Sequence, residues 1–390
     1  MDHAALAGSP LGTVVPISGT DPLSGRAFEH FAYVPSPLPD EVQLRSSTWR
    51  QVTAAEAALG RLDQASQQFP EPALLRRPSL RREAQSTSAL EGTYAPFETL
   101  LASEPEERRA LSPELREVLN YVVAAEEGFG WIRERPITIG LIERLQGVLV
   151  ADTPSERYNA GKLRERQVFI GSRGLPIEDS RFVPPPPGAS LRAAVTDWIQ
   201  WITDPPVDLS AVVRAAMAHY QFETLHPFFD GNGRIGRLLI AMSLIQDGVL
   251  REPILVVSPW FEAHRGPYQD GLLSLSVSGD WDDWIRFFAM GVAEAADTAR
   301  MRVERLMAWR EQALERLRAA GVSGVAKRVA GELIGSPIVR APSIARQHQV
   351  TPQGAMLALR RLAELGVVQE ERVGGRVSFV ASEALALLRI

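Results

Sequence analysis

The sequence contains no cysteine, and lysine occurs only at Lys162 and Lys327. The lack of cysteine excludes disulfide frameworks, thiolate zinc sites and thiol catalysis, and it fits the reducing cytoplasm. No stretch approaches the ~18 uninterrupted apolar residues of a membrane span, and the amino terminus lacks the positive segment of a signal peptide. We therefore expect a cytoplasmic protein without membrane contact.

The overall composition is that of an ordinary globular protein. Of its 390 residues, 45% are hydrophobic and 23% are charged, with a net charge of -5. This balance excludes a generally basic nucleic-acid coat and a disordered chain. At ~150 residues per domain, the length predicts two or three domains.

Apolar residues at helical spacing predict a mainly α-helical fold after an arm at 1–45 that is rich in Gly, Pro and Ser. The predicted helices are 49–62, 80–90, 114–127, 137–150, 191–203, 209–224, 237–246 and 281–300. One β segment, 166–171, precedes the proline run 183–187, and together they predict an exposed hairpin with a polyproline brace.

The last part of the chain predicts a winged helix. Thr351 and Pro352 are an N-cap and a first-turn proline, and Gly366 ends that helix. Two predicted strands, 367–370 and 376–380, then flank a Gly374-Gly375 hairpin signal. The expected division is an amino-terminal region (1–110), a helical core (111–290), a helical connector (291–320) and the winged helix (321–390).

The segment from His226 to Arg237, HPFFDGNGRIGR, carries the strongest chemical signal. Pro227 should end the preceding helix and present the imidazole of His226 at a corner, as a general base. Gly231, Asn232 and Gly233 tolerate positive φ and lead into a helix, so their N–H groups should form a nest for phosphate.

Three charged side chains complete this predicted phosphate site. Arg234 and Arg237 are three apart on one helix face and could clamp further phosphate oxygens. Asp230 offers a single carboxylate beside them, which matches how Mg²⁺ is held together with substrate phosphates. Phe228 is interpreted as the apolar anchor of the loop.

The segment resembles the signature HPFxDGNGRxxR of the Fic (Fido-fold) family at every specified position. The resemblance covers roughly residues 30–300 and implies a helical Fic core that transfers AMP from ATP to a Ser, Thr or Tyr hydroxyl of a protein, with self-modification expected. It also implies that Gly236 and Arg237 belong to the nucleotide site. This loop alone leaves phosphocholine transfer by rare family members open.

A second element of this family lies upstream. Thr87-Ser-Ala-Leu-Glu91-Gly92 resembles the inhibitory pattern [S/T]xxxE[G/N], in which the glutamate pairs with the second motif arginine, here Arg237. Its position ahead of the core resembles the class with an amino-terminal inhibitory helix. In animal relatives the same glutamate aligns water to remove AMP, so AMP removal is the alternative chemistry. Family members often hold this helix through dimer contacts, so a homodimer is also compatible.

Weaker resemblances involve three other segments. Gln167-Val168-Phe169-Ile170-Gly171 resembles the target-binding flap, against the alternative of a simple hairpin. Tyr268 resembles a position beside the adenosine. Glu117, Asn120 and Tyr121 resemble a family helix whose role is packing.

A further hypothesis is a DNA-binding regulator, in which the predicted winged helix reads an operator and the Fic core only senses nucleotide. Arg360, Arg361, Arg372 and Arg376 suit phosphate contacts. Residues 321–390 contain nine basic and five acidic side chains, a net charge of only +4, which favours dimerisation or target docking instead.

Overall fold

The computed structural model describes residues 1–21, 25–69, 71–103, 111–171, 176–373 and 375–389. Within these ranges the chain is mainly α-helical, as the apolar spacing predicts. The helices are α1 (His3–Ala7), α2 (Ser46–Gln67), α3 (Ala73–Leu90), α4 (Phe97–Ala102), α5 (Pro113–Trp131), α6 (Ile139–Val150), α7 (Ala189–Thr203), α8 (Ala211–Leu225), α9 (Asn232–Gln246), α10 (Ser258–Ala263), α11 (Arg265–Ser278), α12 (Trp281–Ala319), α13 (Val325–Glu332), α14 (Ala341–His348), α15 (Pro352–Glu364) and α16 (Ser382–Leu388). The strands are β1 (Gly12–Thr20), β2 (Ala27–Pro35), β3 (Ile338–Val339), β4 (Gln369–Val373) and β5 (Arg376–Val380).

Helix starts follow local capping chemistry. The side chain of Ser112 accepts a hydrogen bond from the Leu115 N–H at 3.3 Å, and Pro113 opens α5. The predicted cap of α15 is confirmed, because Thr351 accepts from the Gly354 N–H at 3.1 Å.

Two apolar clusters organise the helices. One joins α5, α6, α8 and α9 around side chains such as Leu145, Phe222 and Ile235. The other joins α2, α8 and α12 and continues into the last 70 residues, ending at Leu388. The predicted helix at 281–300 and the predicted connector form one helix of 39 residues, α12, along which α2 packs. The domain boundaries themselves stay a prediction.

The amino-terminal arm contains regular structure that its composition did not indicate. β1 and β2 form an antiparallel hairpin from the pair Gly12 and Pro35 to the pair Thr20 and Ala27. The Tyr33 N–H donates to the Val183 carbonyl at 2.9 Å, so β2 lies against the proline-rich segment. The arm therefore pairs with itself and covers that segment.

The predicted strand at 166–171 is wrong for the described residues. This segment makes one isolated bridge, between Ile170 and Phe182, and no ladder. The physical reason is its partner, because Pro184 to Pro187 have no N–H to donate to a ladder. Residues 172–175, between the two segments, lie outside the described residues.

The carboxy-terminal residues have the element order expected of a winged helix: α13, β3, α14, α15, β4 and β5. β5 lies between β3 and β4 and is antiparallel to both. The second predicted strand, 376–380, is confirmed, whereas the first begins two residues later than expected and runs to Val373. Gly374 of the predicted hairpin turn lies outside the described residues.

The sequence analysis did not anticipate α4, α10 and α11. Two of them have six residues each, too short for a clear helical period, and α11 carries two glycines and a proline. Among the residues that the structure describes, no helix is both long enough and apolar enough to cross a bilayer.

Candidate functional site

The join between α8 and α9 builds the candidate site. His226 caps α8 in a left-handed conformation, with φ 47° and ψ 59°, and its N–H still bonds the Phe222 carbonyl at 2.9 Å. Gly231 caps α9 with φ 86°, and a Cβ at this residue would lie 2.8 Å from the Leu149 side chain. Glycine is therefore required at this turn, both by backbone conformation and by space.

His226 has the properties of a neutral base. Its Nδ1 lies 3.3 Å from the Glu223 carbonyl oxygen, and a proton on Nδ1 leaves Nε2 free to accept one. Burial, and then the nearby positive charge of Arg164, lowers the pKa of His226 to about 4. Arg164 is itself held here, because its Nε donates to the His226 carbonyl at 2.9 Å. The imidazole is thus unprotonated at neutral pH.

Asn232 and Phe228 hold the loop closed. The Asn232 side chain accepts from the Phe228 N–H at 2.8 Å and donates to the Phe228 carbonyl at 2.9 Å. The ring of Phe228 is fully buried, as expected of an apolar anchor. Of the three residues that tolerate positive φ, only Gly231 adopts it, because Asn232 and Gly233 are already helical.

The nest predicted for phosphate is therefore the first turn of α9. The N–H groups of Asn232, Gly233 and Arg234 have no helical carbonyl four residues earlier, which makes this end of α9 attractive to an anion. A Cβ at Gly233 would lie 2.2 Å from Oε1 of Glu91. The carboxylate of Glu91 thus rests on this turn.

Glu91 also pairs with Arg237, as the upstream pattern suggested. Arg237 donates through Nη2 to Oε1 of Glu91 at 2.6 Å, and the Arg237 side chain is only 2% exposed. Thr87 contributes two further acceptors, its hydroxyl at 2.7 Å from Arg237 Nε and its carbonyl at 3.1 Å from Nη2. Burial opposes ionisation of Glu91, but the charge of Arg237 outweighs it and lowers the pKa of the carboxyl.

Gly92 ends the segment that carries Glu91. It has φ 90° and lies directly after Glu91, the C-cap of α3, which is the left-handed position that terminates many helices. The Thr93 N–H then reaches back to the Ser88 carbonyl at 2.9 Å. This turn ends α3 and fixes Glu91 directly after its last residue, Leu90.

Buried polar contacts anchor α3, and the sequence analysis missed them. Glu83, 6% exposed, accepts from the Ser258 N–H at 3.0 Å and from the Ser258 hydroxyl. Arg81 donates to the carbonyls of Leu101 at 3.1 Å and Ser103 at 2.8 Å. Burial raises the pKa of Glu83, which these hydrogen bonds partly oppose. In the sequence, these contacts are signalled only by two charged residues, Arg81 and Glu83, that lie among apolar residues of α3.

Asp230 is the candidate metal ligand. Its Oδ1 accepts from the Gly231 N–H at 2.6 Å and from Arg234 at 3.3 Å, and its Oδ2 accepts from the Ser155 hydroxyl. The side chain is 36% exposed, so it is reachable from solvent. In the part of the chain that is described, no group of three or more His, Asp or Glu side chains could hold a metal. A lone accessible carboxylate fits Mg²⁺ shared with phosphate oxygens.

The spacing of Arg234 and Arg237 suggested that both guanidinium groups are available to phosphate. In the structure, Arg234 is instead paired with carboxylates. Its guanidinium bonds Oε1 of Glu117 on α5 as well as Asp230, and the side chain is 3% exposed. Oε1 of Glu117 also accepts from the Thr93 hydroxyl at 3.2 Å. Glu117, interpreted as a packing residue, is therefore in contact with the site. Asn120, from the same segment, does brace the fold by donating to the carbonyls of Leu149 and Ala151.

Gly236 and Tyr268, both predicted to belong to the nucleotide site, pack closely against α8, and their role there stays a prediction. A Cβ at Gly236 would lie 2.5 Å from Oε1 of Glu223, so this glycine makes room for a neighbouring helix. Burial raises the pKa of Glu223 to about 7. Tyr268 is 4% exposed and its hydroxyl lies 2.8 Å from Nε2 of His219, so the ring has no open face for adenosine. His219, which the sequence analysis missed, has its pKa lowered to about 3 by burial.

The candidate flap begins next to the motif loop, because the Arg164 N–H donates to the Pro227 carbonyl at 2.9 Å. Gln167 donates through its side chain to the carbonyls of Val168 and Pro184, both at 2.9 Å. Gln167 to Ile170 are partly exposed and Gly171 is exposed. The segment thus lies at the surface beside His226, although it is not a regular strand.

Comparisons with known proteins agree on one family. The model described as Fic/DOC family N-terminal matches residues 49–130, and the Fic/DOC family model matches 136–244. The chain is 34% identical over 130 residues to Protein adenylyltransferase Fic of Aedes aegypti, which covers 33% of this chain and 23% of that protein. It is also 34% identical over 95 residues to Protein adenylyltransferase fic-1 of Caenorhabditis elegans, 24% of this chain and 17% of the relative.

These matched regions span less than a quarter of the length of the curated relatives. Among solved structures, a Fic family protein from Desulfovibrio desulfuricans G20 is similar with a TM-score of 0.55, covering 88% of this chain and 98% of that one. The two sequences are 16% identical, so this similarity concerns the fold.

Proposed function

We propose that the chain, whose residues 49–130 and 136–244 match models of the Fic/DOC family, is a protein adenylyltransferase that is held inactive by Glu91. In this reaction the hydroxyl oxygen of a Ser, Thr or Tyr side chain attacks the α-phosphorus of ATP. The bond between the α-phosphorus and the bridging oxygen breaks, and pyrophosphate leaves. The observation that carries the proposal is the carboxylate of Glu91, which lies on the first turn of α9 and pairs with Arg237.

His226 would take the proton of the attacking hydroxyl. Its neutral imidazole, with the proton on Nδ1 bonded to a carbonyl, offers Nε2 as the acceptor. The first turn of α9 would bind the phosphates through its N–H groups and orient the α-phosphorus. Arg237 would bind the terminal phosphate once Glu91 leaves it.

Asp230 is the residue that would hold Mg²⁺, which supplies charge neutralisation at the α- and β-phosphates when bound. Its carboxylate is oriented by the Gly231 N–H, Arg234 and the Ser155 hydroxyl. The half-exposed position of this carboxylate supports a metal that arrives together with the nucleotide.

Inhibition by Glu91 has a direct physical cause. While Glu91 occupies Arg237, that arginine cannot contact a phosphate, and a carboxylate on the turn repels the triphosphate. The substitution Glu91→Gly should remove both effects. We expect incorporation of label from α-labelled ATP with Mg²⁺, into the protein itself, to rise by about tenfold or more, equivalent to about 1.4 kcal/mol.

Two further variants make this experiment decisive. Glu91→Gly combined with His226→Ala should not be labelled, because the base is missing, and Glu91→Gln should be labelled to an intermediate extent. Labelling of wild type equal to that of Glu91→Gly would contradict the inhibitory role. No labelling of Glu91→Gly in the presence of bound ATP would contradict AMP transfer to self.

Removal of AMP is the second candidate. The Glu91 side chain is 38% exposed even though it is paired, so one carboxylate oxygen could orient a water. This alternative predicts the opposite result for Glu91→Gly, namely a loss of activity on an AMP-modified protein. The same variant therefore separates the two chemistries.

A further inference from the structure

Glu117 of α5 connects two parts of the site that lie far apart in sequence. Its Oε1 accepts from the guanidinium of Arg234, in the first turn of α9, and from the Thr93 hydroxyl, at 3.2 Å. The Arg234 side chain is 3% exposed, so this contact is made away from solvent. Glu117 itself is 24% exposed, and it reaches Arg234 from the side of the bundle.

The guanidinium of Arg234 is divided between two carboxylates. Nη1 bonds Glu117, and Nη2 lies 3.3 Å from Oδ1 of Asp230. A guanidinium can instead bind one carboxylate with both nitrogens, which is the stronger arrangement. The contact with Asp230 is the longer of the two here, so Glu117 takes the larger share of Arg234.

We propose that Glu117 is a positioning residue that acts on Asp230 through Arg234, an inference that rests on the proposed function. By holding Arg234, Glu117 prevents the arginine from forming a full ion pair with Asp230. The Asp230 carboxylate keeps its orientation and also keeps an oxygen with enough negative charge to bind Mg²⁺ together with ATP.

Thr93 ties this arrangement to the inhibitory segment. It lies two residues after Glu91, and its hydroxyl donates to the same oxygen of Glu117 that binds Arg234. The Gly92 turn, with φ 90°, separates the two residues. Glu91 therefore contacts Arg237 directly, while the residues just beyond it contact Arg234 through Glu117.

The test uses the 390-residue chain with Glu91→Gly, which should be active. Adding Glu117→Ala removes the carboxylate that competes for Arg234, so Arg234 should turn to Asp230. We expect the Mg²⁺ concentration for half-maximal ATP binding, measured by calorimetry, to rise about tenfold, the effect usual for residues that orient metal ligands. The labelling rate at saturating Mg²⁺ should change less than twofold.

Conservative and control variants make the result specific. Glu117→Gln keeps an oxygen for Arg234 without the charge and should raise the required Mg²⁺ by a smaller factor. Glu126→Ala, on the exposed face of the same helix, should leave both measurements unchanged. If Glu117→Ala fails to melt cooperatively, Glu117→Gln decides.

Two outcomes would overturn the inference. An unchanged Mg²⁺ dependence in both Glu117 variants, with Glu91→Gly labelled normally, would reject the role of Glu117 and leave the proposed function intact. A fall in labelling rate at saturating Mg²⁺ without a change in Mg²⁺ dependence would also reject it. Absence of labelling in Glu91→Gly contradicts AMP transfer to self instead, and calorimetry on ATP then still decides the role of Glu117.

Discussion

At the scale of single residues, charge placement decides the chemistry. His226 and Glu223 sit three residues apart near the end of α8, yet burial affects them in opposite directions. It lowers the pKa of the histidine to about 4 and raises that of the glutamate to about 7. Burial disfavours the charged form of each, which leaves a neutral base beside a carboxyl that titrates near neutrality.

The pH dependence of the Glu91→Gly variant should report the low pKa of His226. A base works while it is unprotonated, so activity should persist as pH falls and be lost only as pH approaches 4. Glu91 favours the protonated imidazole, so its removal moves this limit no higher. The measurement is kcat/KM for ATP between pH 4 and 9, with circular dichroism to confirm folding.

Glu223 supplies the control for this profile. Any inflection near pH 7 that disappears in Glu223→Gln belongs to that carboxyl. An acid limb near pH 6.5, the ordinary pKa of histidine, that survives Glu223→Gln would show that His226 is not shifted.

At the scale of elements, α3 carries Glu91 to the site and is anchored by buried polar contacts. The helix ends at Leu90, and Glu91 and the Gly92 turn follow it directly. The helix is buried on several sides and held by Glu83 against α10 and by Arg81 against the end of α4. Release of Glu91 from Arg237 thus has to work against these anchors.

Ser258→Ala should weaken the anchor of α3. It removes the hydroxyl that donates to buried Glu83, and we expect a loss of about 1–3 kcal/mol in the free energy of unfolding, as for a buried polar group that loses a hydrogen-bond partner. Urea denaturation measures this loss. Ser274→Ala, at an exposed position of α11, should change stability by less than about 0.5 kcal/mol. Equal stabilities of the two variants would contradict an anchoring role for this bond.

At the scale of the whole molecule, the carboxy-terminal residues contact both the start of α3 and the end of α4. Arg77 of α3 donates to the Ser336 hydroxyl at 3.2 Å, and Arg340 donates to the Ala102 carbonyl, at the end of α4, at 2.9 Å. A Cβ at Gly335 would lie 2.5 Å from the Leu74 carbonyl. These residues therefore brace the segment that carries Glu91 from two sides.

The exposed side chains of α15 and of the wing strand β4 should not bind DNA. On α15, Arg360 is exposed but Arg361 pairs with Glu364 at 2.7 Å, and exposed Glu370 and Glu371 lie on the wing strand β4. Such mixed charge repels phosphates as well as attracting them. We expect no retardation of duplex DNA in a gel shift at low salt. A shift that weakens as salt increases would contradict this prediction and favour a regulator.

Local signals made much of the fold readable from the sequence. The cap at Thr351, the stop at Gly92 and the turn at Gly231 depend on neighbouring residues, so their residue types predicted the observed conformations. The strand predicted at 166–171 failed because its partner segment, not its own sequence, determines whether a ladder forms. The burial of Tyr268 could not be predicted for a related reason, since burial depends on what packs over a helix.

By itself, the sequence determined the helical class, the motif loop and, through a family resemblance, the pairing of Glu91 with Arg237. Only the tertiary structure showed that Glu117 holds Arg234 and that Ser258 holds Glu83. These partners lie 117 and 175 residues apart, and no local pattern encodes which distant side chain will meet a buried charge. A buried charge must be paired, but the packing of the helices selects its partner.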